Sequence, residues 1–289
     1  MRALIQGLLA VFLWLGAASA QERFFLSGGV RINYVDHGAG VPVLLIHGFT
    51  ASIEPAWIET GILPDLARDH RVIAFDLRGH GKSSKPHDPR DYDELALDAI
   101  RLLDHLGIQK AHVVGYSLGG IIAAKLLTTH AERFFSAVLG GAAYRRSQST
   151  RADREADAAA REIEEKGIYR ALVISTWPTD EPGPSEENIV ERSKAIAKKN
   201  DLAAHAALMR ARRALIVTDA QAAKIPVRTL AVVGAADPAL PRVKAMQAVW
   251  PRLEIELVPG AAHPTVHPRG LPRRAEFREA IRRHIARAQ

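Results

Sequence analysis

Ala111-His112-Val113-Val114-Gly115-Tyr116-Ser117-Leu118-Gly119-Gly120-Ile121-Ile122-Ala123-Ala124 decides how the rest of this chain is read. A short apolar run meets Gly115, a serine stands two residues on, and a second, longer apolar run follows. Strand, one-residue corner and helix form the local context in which a serine is presented as a nucleophile. Gly115 and Gly119 flank the corner, where side chains would collide as strand and helix approach each other. Ser117 then stands at a helix N-terminus, so the Leu118 amide and the positive end of the helix dipole face any oxyanion that develops there. Glycines around a serine also make plain turns. The strand before and the helix after single out the nucleophile.

Outward from this corner, apolar runs alternate with helical patterns. Arg23 to Leu26 and Val30 to Val35 read as a hairpin around Ser27-Gly28-Gly29. Val41 to Ile46 and Arg71 to Phe75 are short apolar runs of the kind that suits strands of a covered parallel sheet, Ser136 to Leu139 reads as a further strand, and Val227 to Val233 and Leu253 to Val258 resume the pattern. Asp91 is expected to cap a helix whose stripe is Leu95, Ala99, Leu102 or Leu103, and Leu106, with Gly107 as its stop. The helix after the corner runs to about His130. The expected fold is therefore α/β, a doubly wound, mostly parallel sheet. From about Tyr144 to Ala223 the texture changes to alanine and charge. Arg151 to Lys166 reads as a helix, Trp177 to Pro184 as a loop, and Ser185 and Asp201 as caps of two more helices. A helical insertion at 144–223 thus divides a core made of 21–143 and 224–289.

The 289 residues suit one large α/β domain with such an insertion. There is no cysteine, which removes disulfides, thiolate metal sites and cysteine nucleophiles, and no helix carries H-E-x-x-H. The sequence calls for no cofactor and no metal. Lysine and arginine number 39 against 32 acidic residues, and the excess is concentrated in Arg269, Arg273, Arg274, Arg278, Arg282, Arg283 and Arg287. Phe277, Ile281 and Ile285 recur every four residues there, the pattern of a terminal helix docking one apolar face. A solvated basic face is the plain reading, and loose contact with an anionic envelope surface the sharper one. No nucleic-acid motif accompanies the charge. At the other end, Arg2, the apolar stretch Ala3 to Gly16, and Ala18-Ser19-Ala20 are expected to form a signal peptide over residues 1–20. The exported protein, periplasmic or secreted, would begin at Gln21. The alternative is an N-terminal membrane anchor, although Gln6 and Gly7 interrupt the run and it is short for a span.

Four stretches, His47-Gly48-Phe49-Thr50, Asp76-Leu77-Arg78-Gly79-His80-Gly81-Lys82-Ser83, the serine corner and Gly260-Ala261-Ala262-His263, resemble the α/β-hydrolase fold superfamily. With the order of the pieces, the resemblance covers essentially all of the chain after residue 20. It implies a triad in the chain order serine, acid, histidine. Asp237, just past the apolar run that ends Val233-Gly234-Ala235-Ala236, fits the acid; no carboxylate follows Leu139-Gly140-Gly141-Ala142, and Asp219 is a competitor. His263 fits the base, with His267 four residues on as its rival. Imidazole takes the serine proton and returns it to the leaving group, while the acid fixes its tautomer. The amides of Phe49 and Leu118 are expected to form the oxyanion hole, with His47 orienting the loop. The Asp76 to Ser83 segment lacks the spacing of a phosphate loop and reads as a structural turn. Trp57, Trp177, Leu208 and Met209 are candidates to line an acyl pocket. The implied activity is hydrolysis of small-molecule carboxylic esters through an acyl-enzyme, with the helical insertion as a cap. Serine at the corner argues against the haloalkane dehalogenase and epoxide hydrolase branches, which use aspartate there. Perhydrolase, lactonase and carbon–carbon bond hydrolase activity use the same triad and stay open, as does a ligand-binding sensor without turnover.

Overall fold

A strand buried on both faces has to be apolar at nearly every position, and the expected runs form such strands in the middle of the sheet, while Leu253–Val258 at its edge is only partly buried. The computed structural model describes residues 23–144, 149–264 and 267–288. The leader expected at residues 1–20 lies outside the described residues. A hairpin, β1 (Arg23–Ser27) and β2 (Val30–His37), precedes β3 (Pro42–Ile46), a short α1 (Ile62–Leu66) and β4 (Arg71–Phe75). Then come α2 (Leu97–His105), β5 (Ala111–Tyr116), α3 (Leu118–Thr129) and β6 (Phe134–Gly140). The excursion that follows comprises α4 (Thr150–Lys166), α5 (Arg170–Thr176), α6 (Glu186–Ala197), α7 (Leu202–Arg210) and α8 (Asp219–Ala222). The chain returns through β7 (Arg228–Gly234), α9 (Leu240–Gln247), β8 (Leu253–Val258) and α10 (Ala275–Ala286).

The strands form one sheet in the order β1-β2-β4-β3-β5-β6-β7-β8, antiparallel across β1, β2 and β4 and parallel from there on. Side chains alternate between its two faces. In β4, Ile73 and Phe75 join α2, α3 and α9 on one side, while Val72 and Ala74 join α1 and α10 on the other. The β3–β5 register sets Ile46 opposite Gly115, so the ends of the first parallel strand and of the strand before Ser117 lie side by side.

One element differs from expectation. Asp91 does not cap the second helix. The segment Pro89–Tyr92 is a 3₁₀ turn capped by Asp88, whose carboxylate accepts from the Arg90 amide, and α2 begins only at Leu97. Tyr92 is buried and donates its hydroxyl to Pro86 O, and the Arg78 guanidinium donates to Asp91 O. These bonds hold the backbone in a tight turn where local pattern favoured a longer helix. The caps expected at Ser185 and Asp201 are present, accepting from Asn188 N and Ala204 N. The basic terminal helix docks through Phe277, Ile281 and Ile285, and several of its arginines pair within the chain. Arg282 reaches Asp65 and Asp69, and Arg283 reaches Glu256. Among the described residues no helix is long and apolar enough to cross a membrane.

Candidate active site

Ser117 is held by the close approach of three elements. A Cβ built on Gly119 would stand 1.9 Å from Ile46 O, and one on Gly115 would stand 2.2 Å from Gly119 O. Only glycine permits this contact between β3, β5 and α3. The serine between them adopts φ 53° and ψ −114°, a region L-residues avoid, and its amide donates to Gly140 O at 2.8 Å. The strained corner carries the hydroxyl past the sheet edge, where the loops after β7 and β8 also end.

Those loops supply the partners. Ser117 Oγ lies 3.0 Å from His263 Nε2, and His263 Nδ1 lies 2.9 Å from Asp237 Oδ2. A carboxylate only accepts, so Nδ1 carries the proton and Nε2 is left to accept from the serine. The other Asp237 oxygen accepts from Ala239 N at 2.8 Å, and the residue is 1% exposed. His263 is fixed from its main chain as well, since the Tyr116 hydroxyl donates to His263 O and the Tyr116 ring packs against the imidazole. Burial, and then the charge of Asp237, push the Tyr116 phenol well above its ordinary range, which keeps it a donor. Gly141, at φ 55°, forms the wall behind the pair: a Cβ there would stand 3.1 Å from Asp237 Oδ2 and 3.2 Å from His263 Nδ1.

The rival positions are committed elsewhere. His267 Nδ1 accepts from Arg269 N at 3.1 Å, and its Nε2 lies 3.6 Å from Glu181. Asp219 accepts from the Tyr144 hydroxyl at 2.5 Å.

The loop after β3 lies directly against Ser117, for a Cβ on Gly48 would be 3.2 Å from the serine Cβ. His47, fully buried, donates from Nδ1 to Gly48 O at 2.8 Å and accepts at Nε2 from Leu77 N at 3.0 Å. Burial lowers its pKa, which suits this neutral tautomer. Gly48 C=O and Phe49 N–H belong to one planar trans peptide, so bonds that hold the carbonyl from one side aim the amide to the other. A second donor, Ala51 N, reaches the same carbonyl at 3.3 Å.

A cavity of about 680 Å³ opens above these groups. Ser117, His263, Phe49 and Leu118 line it, and Ile163 of α4, Leu172 of α5, and Leu208 and Met209 of α7 add apolar surface. Two pocket expectations are corrected. Trp57 has no exposed surface and packs with Ile62, Leu63 and Ile281 between α1 and α10, on the opposite face of the sheet. Trp177 lies outside the cavity: its indole N–H donates to Pro182 O, and the Arg192 guanidinium stacks on its ring at 4.1 Å. Residue type alone did not separate a packed tryptophan from a lining one. His80, Tyr169 and His205, which gather around the Phe49 ring, were not anticipated either, because nothing in their spacing announces that they meet. Among the described residues no group of three or more His, Cys, Asp or Glu side chains could hold a metal ion.

Comparison with known proteins agrees with this architecture. A family model described as the α/β hydrolase fold matches residues 41–161. The 2-hydroxymuconate semialdehyde hydrolase of Pseudomonas sp. (strain CF600) is 40% identical over 123 residues, 42% of this chain and 43% of that relative. The match thus spans less than half of the curated relative's length. Among solved structures, a thermophilic esterase from Thermogutta terrifontis aligns over 93% of this chain and 99% of its own, with a TM-score of 0.71 and 23% identity. The enol-lactonase of Burkholderia xenovorans LB400 aligns over 91% and 100%, with a TM-score of 0.71 and 21% identity.

Proposed function

We propose that this chain is a serine hydrolase of the α/β-hydrolase fold superfamily that cleaves small-molecule carboxylic esters through an acyl-enzyme. The observation that carries the reading is the continuous relay Ser117–His263–Asp237 at the floor of an apolar cavity. His263 takes the Ser117 proton as Oγ attacks the ester carbonyl, and the imidazolium that forms is stabilised by Asp237. The tetrahedral oxyanion is received by the amides of Phe49 and Leu118, the first preset by His47 and the second at the N-terminus of α3. His263 then protonates the departing alcohol, and a water activated by the same imidazole releases the acid. The helices α4 to α8 act as a cap that sets the size of the acyl group.

The test is kcat on a short-chain 4-nitrophenyl ester. Ser117→Ala should lose on the order of 10³-fold or more, and Asp237→Asn and His263→Ala about 10³–10⁴-fold, all with folding preserved. His267→Ala should stay near wild type. A Ser117→Ala protein with a tenth of the wild-type rate would remove Ser117 from its role. A second reading, carbon–carbon bond hydrolysis with the same residues, is favoured by the 40% identity to the 2-hydroxymuconate semialdehyde hydrolase over 123 residues. A panel of esters, lactones and vinylogous diketones separates the two by kcat/KM, and absence of multiple turnover on all of them would favour a sensor.

We also propose export, on the motif in residues 1–20. Protein from the native host should begin at Gln21 and lie outside the cytoplasm; a chain starting at Met1 in the membrane fraction would replace export by anchoring.

A further inference from the structure

We propose that His205, carried by α7, is a positioning residue for the Gly48–Phe49 peptide, so that the helical excursion takes part in assembling the oxyanion hole. The proposal rests on the role assigned above to the Phe49 amide. His47 orients this peptide from the carbonyl side, but the Phe49 side chain projects from its other end and needs a separate restraint. That restraint comes from the helical excursion. The His205 ring lies 4.6 Å from the Phe49 ring, centroid to centroid, and Tyr169 contributes a third ring at 6.3 Å from Phe49. His80, from the loop after β4, closes the cluster at 4.6 Å from His205 and 5.7 Å from Phe49. Just beyond it, Asn200 Nδ2, at the turn into α7, reaches Thr50 O at 3.5 Å, and Thr50 is one of two non-glycine residues with positive φ among those described. The oxyanion loop is therefore gripped on both sides, by His47 from the core and by the start of α7 from the excursion.

A histidine is a costly choice for a mere filler at this position. His205 has no exposed surface, and its Nε2 has no hydrogen-bond partner, a loss that a phenylalanine or leucine in the same space would not incur. What an apolar ring could not do is accept the Tyr169 hydroxyl, which lies 2.9 Å from His205 Nδ1. Burial drives the Tyr169 phenol upward and the His205 imidazole down, so the phenol donates and the neutral ring accepts. This bond ties the residue before α5 to α7 and fixes the plane of the imidazole against Phe49. A loosened cap would then cost chemistry as well as substrate binding.

The experiment compares wild type, His205→Ala, His205→Phe and Tyr169→Phe with two readouts: kcat and KM on 4-nitrophenyl butyrate, and the second-order rate of Ser117 labelling by a fluorophosphonate. An oxyanion donor displaced by about 1 Å loses roughly 10–100-fold in rate. His205→Ala is expected to lose that much in kcat, with KM within about twofold of wild type and the labelling rate falling in parallel. His205→Phe, which restores a ring against Phe49 but not the acceptor for Tyr169, should recover part of the loss, and Tyr169→Phe should lose several-fold in kcat. The proposal is overturned by a His205→Ala kcat within twofold of wild type, by a loss that falls on KM alone, or by failure of the phenylalanine to rescue. Should the alanine variant not fold, Tyr169→Phe decides, because it removes one hydrogen bond and no volume, and an unchanged kcat there refutes the restraint. Wild type that is labelled but turns over no ester refutes ester hydrolysis alone, since labelling rates still measure the restraint. Wild type that is not labelled refutes both.

Discussion

Ser117 sits at φ 53° and ψ −114° because two glycines on either side let β3, β5 and α3 close around it, and the conformation is unfavourable for any residue with a Cβ. Strain of this kind costs about 1–3 kcal/mol and persists only where the surroundings over-determine it. The strain and the hydroxyl are separable. Ser117→Ala keeps the Cβ and therefore the strain, whereas Ser117→Gly removes both. The glycine variant should melt above the alanine variant by a few degrees although both lack the hydroxyl, as measured by differential scanning calorimetry on the two purified proteins. Equal melting temperatures would mean that the corner is not strained in the folded protein.

At the scale of the element, α7 faces two ways. Its Asp201 cap and His205 turn toward the core loops, with Asp201 also 3.1 Å from His87, while Leu208 and Met209 turn into the cavity. Substrate size should follow the second face. Met209→Trp is expected to lower kcat/KM for an octanoate ester relative to an acetate ester by roughly tenfold, since a few methylenes of lost apolar space are worth 1–3 kcal/mol. Trp177→Ala should leave that ratio unchanged, because Trp177 lies against Arg192 outside the cavity. A reversed result, with Trp177→Ala changing the ratio and Met209→Trp silent, would assign acyl selection to the loop before α6. Trp57→Ala belongs to another class altogether. It empties a buried site between α1 and α10, where large-to-small changes cost about 3–5 kcal/mol.

Across the whole molecule, burial holds several histidines neutral. His47, His80, His112, His205 and His284 all have lowered pKa values with desolvation as the largest cause, His112 to about 4 and His205 to about 3. For each, the unfolded chain binds a proton near pH 6.5 and the folded chain does not. The stability is fully present above that pH and is lost as pH falls toward the folded values, by about 1.4 kcal/mol per pH unit for each such group. The melting temperature should therefore be level down to about pH 6.5 and decline from there to pH 5. Carboxylates with lowered pKa values, such as Asp201 and Glu186, keep their contribution throughout this window and lose it only below their unfolded values. A melting temperature that is flat between pH 7 and pH 5 would show that these rings are solvated in the folded protein.

The strands, the serine corner and the positions after β7 and β8 were legible in the sequence because each depends on near neighbours. A buried parallel strand must be apolar along its length, a tight strand-to-helix corner must have glycines at its flanks, and an N-cap needs its oxygen three residues ahead of the amide it receives. Asp237 and His263 followed from the resemblance, which assigned them by position along the chain, and the fold brings them into hydrogen-bonded line with Ser117 although 146 residues separate the serine from the histidine. The start of α2, the face on which Trp57 packs and the gathering of His80, Tyr169 and His205 around Phe49 were decided only by tertiary structure. The deciding contacts lie beyond the reach of local pattern: Arg78 to Asp91, 13 residues on, α1 to α10 behind the sheet, and α7 to the loop after β3. Local pattern reports which side chains want burial. It carries no record of the partner against which each one is buried.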